Sequence, residues 1–172
     1  MQRRVFLSRA SSVSFLAAST ALAGCGFALR KAPEFAFNTL FSPLAESSSL
    51  GVELRRSLQS TGKVRVISDA RLINEAQVVL EVLGDQRERV VLSLNASGQV
   101  REFQLRLRFR FRLRTLAGKE LIPDSEILQQ RDISFNESAV LAKEAEEALL
   151  YRDMQNDVVQ QILRRLAAVK EL

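Results

Sequence analysis

The chain has 172 residues, with 25 lysines and arginines against 20 aspartates and glutamates, a net charge of +5, and neither histidine nor tryptophan. One cysteine and no histidine exclude a Ser-His-Asp or Cys-His nucleophile and any histidine or multi-cysteine metal centre. The seven glycines form no phosphate-cradling loop, so the composition points to a binding or structural protein and not to an enzyme.

Residues 1–24 carry Arg3, Arg4 and Arg9, no acidic residue, and an apolar run from Val13 to Ala23. That run is about half of the ~20 residues a membrane-crossing helix needs. A charged start, a short apolar middle and a small-residue end read as a cleaved signal peptide. It ends in Leu22-Ala23-Gly24-Cys25, which resembles the lipobox of bacterial lipoproteins. Cys25 is then the expected lipidation site, and its diacylglycerol and N-acyl chain are the only covalent group expected; no other cofactor is. Arg3-Arg4-Val5-Phe6-Leu7 also looks like a twin-arginine export signal, which changes the route and not the anchor. Gly26 stands where an aspartate commonly signals inner-membrane retention, so its presence resembles outer-membrane sorting. Loss of residues 1–24 lowers the net charge to +2, so anionic partners must be argued from where the charges sit. Residues 25–33 are expected to form a lipidated tether and 34–172 a single α/β domain.

Along the domain, Phe35 to Phe41 alternates as a first strand closed by Pro43. Leu50, Leu54 and Leu58 recur every four residues in a short helix, with Gly62 placed as a C-cap. Lys63 to Ile67 reads as a second strand. Ala76 to Leu83 begins a third, continuing past a kink at Gly84-Asp85 to Leu94. Asn95-Ala96-Ser97-Gly98 is a turn, Gln99 to Thr115 a long strand, Leu116 to Lys119 a second turn, and Ile127 to Phe135 a last strand. From Ser138 the pattern is helical. Leu150, Met154, Val158, Ile162 and Leu166 make one stripe, read as core packing in preference to a partner-binding face. Glu144, Glu146 and Glu147 read as the solvated face of that helix. The order is β-α-β-β-β-β or β-α-β-β-β followed by a long helix, and both helices on one face of a sheet is the economical architecture.

The most informative stretch is Phe103 to Arg114. Its odd positions are apolar, and its even positions are Arg106, Arg108, Arg110, Arg112 and Arg114. Strand side chains alternate between faces, so the strand has one apolar and one cationic face. A hairpin closing at Ser97-Gly98 would put Val90 opposite Leu105 and Leu92 opposite Phe103. It would also put Arg89 opposite Arg106 and Arg87 opposite Arg108. Like charges so placed are unfavourable, which suggests an anionic surface lying against them. Three occupants fit: water over a solvated face, the phosphates of a ligand, or carboxylates inside a protein partner. For an exported lipoprotein the abundant phosphates belong to lipopolysaccharide, and nucleic acid is not an expected partner.

Short matches in order along the chain resemble the lipopolysaccharide-assembly lipoprotein family, LptE. They are Cys25-Gly26-Phe27-Ala28-Leu29-Arg30, Gly98 to Leu105, Leu141-Ala142-Lys143-Glu144, and Met154-Gln155-Asn156-Asp157. The resemblance implies an α+β two-layer sandwich, two helices packed on one face of a mixed four-stranded sheet. It implies a non-catalytic lipoprotein, anchored on the periplasmic side of the outer membrane. Such a protein plugs and helps assemble the lipopolysaccharide-translocating β-barrel LptD in a one-to-one complex, and binds lipopolysaccharide for delivery to the outer leaflet. It also implies lipopolysaccharide contacts at the hairpin tip and at Lys143. Here the tip, Asn95-Ala96-Ser97, carries no basic residue, so Arg101 or the row Arg106 to Arg114 would supply the charge. A function of another class, an auxiliary lipoprotein of a lipid-transport ABC system without a barrel, would require an apolar groove.

Overall fold

Residues 33–172 are described by the computed structural model, and Cys25 with the segment before it lies outside them. The elements in chain order are β1 (Thr39–Phe41), α1 (Ser49–Gln59), β2 (Arg65–Ile67), a 3-10 turn (Ala70–Glu75), β3 (Val78–Leu94), β4 (Val100–Thr115), β5 (Glu120–Ser134), a second 3-10 turn (Glu137–Ala139) and α2 (Val140–Ala168). The sheet runs β2-β1-β3-β4-β5. β1 is parallel to both its neighbours, and β3, β4 and β5 form an antiparallel meander.

The fold is therefore α+β on a mixed sheet, with the five strands of the longer order read along the chain and not the four that the family resemblance implies. The additional strand comes from the short parallel edge, where β1 and β2 are three residues each and pair Thr39 with Arg65 and Phe41 with Ile67.

Each helix follows from its apolar spacing. Ser48 caps α1 by accepting from the Gly51 N–H, and Leu50, Leu54 and Leu58 face the core. The helix ends at Ser60, two residues short of the expected cap, and Gly62 (φ +71°) reverses the chain beyond it. In α2, Met154, Val158, Ile162 and Leu166 are fully buried, so the stripe is core packing. These side chains, those of α1, and Leu105, Leu107, Phe109, Phe111 and Leu113 of β4 belong to one cluster, which places both helices on the same face of the sheet. On the other face Phe41, Ile67, Ala76 and Val79 form a small second cluster near the 3-10 turn.

Two expectations about the meander are corrected. The hairpin does not close at Ser97-Gly98. Asn95 N–H donates to Gln99 O at 2.8 Å across a three-residue loop, with Gly98 left-handed at φ +79°. The register is thereby one residue away from that expected: Val91 faces Phe103, Val90 faces Gln104, Arg89 faces Leu105 and Arg87 faces Leu107. A slip of one residue exchanges faces, so Arg87 and Arg89 sit on the helix side and not beside the arginine row. Leu92, expected opposite Phe103, falls in a register shift between Val91 and Ser93. The last strand also begins at Glu120, seven residues before Ile127. Pro123 and Asp124 interrupt its alternation at a register shift, which an edge strand tolerates.

Candidate functional site

The correct register sorts the expected site residues into separate places. Arg106, Arg108, Arg110, Arg112 and Arg114 share the sheet face away from the helices, because their odd-numbered neighbours are buried beneath α1 and α2. This face carries both signs of charge. Arg106 lies opposite Glu88, Arg110 opposite Glu126, Arg112 opposite Glu81 and Arg114 opposite Glu120. Glu81 pairs with both Arg112 and Arg114, Arg110 pairs with Asp124, and Arg108 lies 3.5 Å from Glu126. The expected repulsion between Arg89 and Arg106 and between Arg87 and Arg108 does not arise, since carboxylates and glutamine hold those cross-strand positions. Hydrogen bonds from Arg114 and Arg112 hold the Glu81 carboxyl below the usual glutamate range. Arg106 makes a 2.8 Å hydrogen bond to Gln104. Arg108 Nε is buried and finds no acceptor among the described residues.

Arg87 and Arg89 project toward a cleft between α1, α2 and the middle of β3. It is an open cleft of about 960 Å³, lined mostly by charged and polar side chains from all three elements, with Val52 and Ala148 among them. Arg87 Nη2 donates to Gln155 Oε1 at 2.9 Å and to Ser49 Oγ at 3.3 Å, and its guanidinium lies 5.5 Å from the Tyr151 ring centroid. Ser49 in turn donates to the same Gln155 oxygen at 2.6 Å. Arg89 pairs with Glu147 at 3.2 Å and stacks over Phe103 at 4.5 Å. Glu147 is thus tied to the sheet and is not simply part of a solvated helix face. The Tyr151 hydroxyl donates to Glu88 O at 2.8 Å, and burial, then the nearby Glu147 carboxylate, pushes its phenol up.

Lys143 stands near the start of α2. Its Nζ donates to Ser134 Oγ at 3.0 Å and to Glu146 at 2.8 Å. It shares a 160 Å³ pocket with Arg89, Phe103 and Phe135, so these two of the expected cations come together. Arg101 is exposed and borders a separate 440 Å³ hollow with Asn95, Gln99 and Glu137. Gln155, Tyr151, Arg56 and Arg152 of the cleft were not anticipated. The signal available was the four-residue spacing of Tyr151 and Gln155, one position beyond the apolar stripe of α2. Among the described residues no group of three His, Cys, Asp or Glu side chains is arranged to hold a metal ion.

Comparison with known proteins agrees with this architecture. Residues 37–166 match a family model described as LptE: Lipopolysaccharide-assembly. The LPS-assembly lipoprotein LptE of Pectobacterium atrosepticum is 26% identical over 151 residues, spanning 86% of this chain and 79% of that protein. An uncharacterized lipoprotein B from Nitrosomonas europaea, known from its solution structure, is similar with a TM-score of 0.68 and 36% identity, over 83% of this chain and 91% of its own. The crystal structure of the rare lipoprotein B from Shewanella oneidensis is similar with a TM-score of 0.61 and 27% identity, over 76% and 95% respectively.

Proposed function

The chain belongs to the LptE lipopolysaccharide-assembly family, and from that premise we propose that it plugs and helps assemble the outer-membrane β-barrel LptD while binding lipopolysaccharide for delivery to the outer leaflet. It is a non-catalytic, membrane-associated lipoprotein of that family. The observation that carries the reading is the extent of the match, which runs through all five strands and ends at Leu166 in α2. In this reading Cys25 carries the diacylglycerol and N-acyl chain, residues 25–33 are the tether, and the domain sits on the periplasmic side of the outer membrane in a one-to-one complex.

The two-signed outer face of β3, β4 and β5 supports the reading. A barrel lumen is polar, unlike its lipid-facing exterior. Guanidiniums interleaved with carboxylates suit such a wall, since they can exchange internal partners for lumen side chains at small net cost. The auxiliary of a lipid-transport ABC system is less well supported, because the 960 Å³ cleft is lined by arginines and carboxylates where acyl chains need an apolar groove. The test is a pull-down of tagged full-length protein from detergent-solubilised outer membranes, with mass spectrometry of what is retained. A stoichiometric large β-barrel that survives high salt is expected. Its absence would refute the plug reading.

A further inference from the structure

The long free edge of the sheet is β5, and we propose that it is a strand-pairing surface for a second copy of this chain, held shut by Arg131 and Arg165. β2, at the opposite edge, is only three residues long and offers little to pair with. β5 has 15 residues and β4 as its one neighbour in the strand order. Unpaired N–H and C=O groups along such an edge are a template for another strand. Arg165 of α2 reaches over this edge, and its Nη2 donates to Glu126 O at 3.0 Å. Arg131 Nη1 donates to Gln130 O at 2.8 Å, while its Nη2 donates to Asp157 of α2 at 2.9 Å. Both carbonyls therefore point away from β4, and alternation along the strand turns the N–H and C=O of Leu128 the same way.

The two guards are spaced to act together. Glu126 and Gln130 lie about 13 Å apart along a strand, and Asp157 and Arg165 lie about 12 Å apart along a helix. Arg165 meets Glu126 and Asp157 meets Arg131, so α2 runs antiparallel to β5 and fastens one guard at each end of the central stretch. The Arg165 guanidinium is steadied over the Phe111 ring, 5.8 Å from its centroid. A guanidinium seated on each carbonyl blocks the approach of another backbone. The occupant is a second copy because the stretch between the guards is self-complementary. An antiparallel copy related by a two-fold axis through Leu128 sets Leu128 against Leu128 and Glu126 against Gln130. The Leu128 side chains, 41% exposed, would then cover one another, and no like charges meet between the guards. Moving the axis to Gln129 would set Glu126 against Asp132, an unfavourable pair.

This pairing requires neither a barrel nor lipopolysaccharide. The full-length protein in density-matched detergent is followed by sedimentation equilibrium, and hydrogen exchange of the β5 amides is read by mass spectrometry. The wild type is expected to stay monomeric. Arg131→Ala combined with Arg165→Ala should self-associate at least about tenfold more tightly, with exchange slowed across residues 126–130 and the far-UV CD spectrum unchanged. Arg165→Gln alone should show the same change in smaller degree. Arg164→Ala, at the exposed neighbouring position, should behave as wild type. Leu128→Pro added to the double variant should restore the monomer, because proline there removes only an outward N–H and no bond to β4. A double variant that stays monomeric would overturn the proposal, as would a wild type that dimerises with β5 already protected. A dimer that Leu128→Pro leaves intact would move the contact to another surface. Slowed exchange in a monomer carrying a different protein would give the edge to that protein. Either result also refutes pairing with a second copy.

Discussion

Arg87 Nη2 donates to Gln155 Oε1 at 2.9 Å, which ties the middle of β3 to α2 through a side chain that is otherwise buried. The same oxygen accepts from Ser49 at the start of α1, so one amide joins three elements. Gln155→Leu keeps the volume and removes the acceptor for two donors. It should destabilise the domain by about 1–2 kcal/mol in urea unfolding, and no loss of stability would mean that the junction contributes nothing.

Glu81 supplies a pH dependence. Arg114 and Arg112 hold its carboxyl low in the folded state, whereas an unfolded glutamate titrates near about 4.3. A depressed folded value means that the pairing contributes in full above the unfolded value and fades as the pH falls through the folded one. The stability difference between wild type and Glu81→Gln should therefore be present at neutral pH, amount to about 1 kcal/mol or less, and close in acid. A gap that widened in acid would contradict the pairing.

Neighbouring residues of β4 should respond in opposite ways. Phe109 is fully buried, and Phe109→Ala should cost about 3–5 kcal/mol through the cavity it leaves. Arg110→Ala removes only a half-exposed ion pair and should stay within about 1 kcal/mol of wild type. Comparable losses at both positions, measured by thermal unfolding, would be inconsistent with the assigned faces.

Gly51 lies inside α1, where alanine ordinarily stabilises a helix by about 1 kcal/mol. A Cβ there would lie 2.9 Å from Ala45 O and 3.0 Å from Leu44 Cβ. Gly51→Ala is expected to lower the melting temperature despite its better helix propensity, and a raised one would show that the preceding loop yields easily.

Charge reversal tests the outer face in its proposed setting. Arg108→Glu combined with Arg110→Glu should abolish salt-resistant retention of the barrel while the isolated domain keeps its CD spectrum. Full retention would move the barrel contact to another surface.

Much of the fold was legible because strict alternation from Phe103 to Arg114 permits only one backbone with a continuous core side. The α2 stripe had the same clarity. What escaped was governed by single residues with large geometric effects. Gly98 in the left-handed region makes a three-residue loop, and that one-residue difference moved Arg87 and Arg89 to the other side of the sheet. Pro123 hid the first half of β5 in the same way. The arginine row read as uncompensated because its carboxylate partners lie on two other strands, distant in sequence. Gln155 was signalled only by its four-residue spacing from Tyr151, which is weak because a glutamine on a helix that also carries Gln160 and Gln161 resembles any solvated one.

β1 comes first in the domain yet lies inside the sheet, with Leu40 fully buried and paired to Val66 on one side and Val78 on the other. A load applied at the N-terminal end along the strand axis would therefore act on both rows of hydrogen bonds simultaneously, in shear. The same load across the strand axis would instead open the bonds one at a time. The domain is thus gripped by its interior, and mechanical resistance is concentrated at the end where a tether would transmit load.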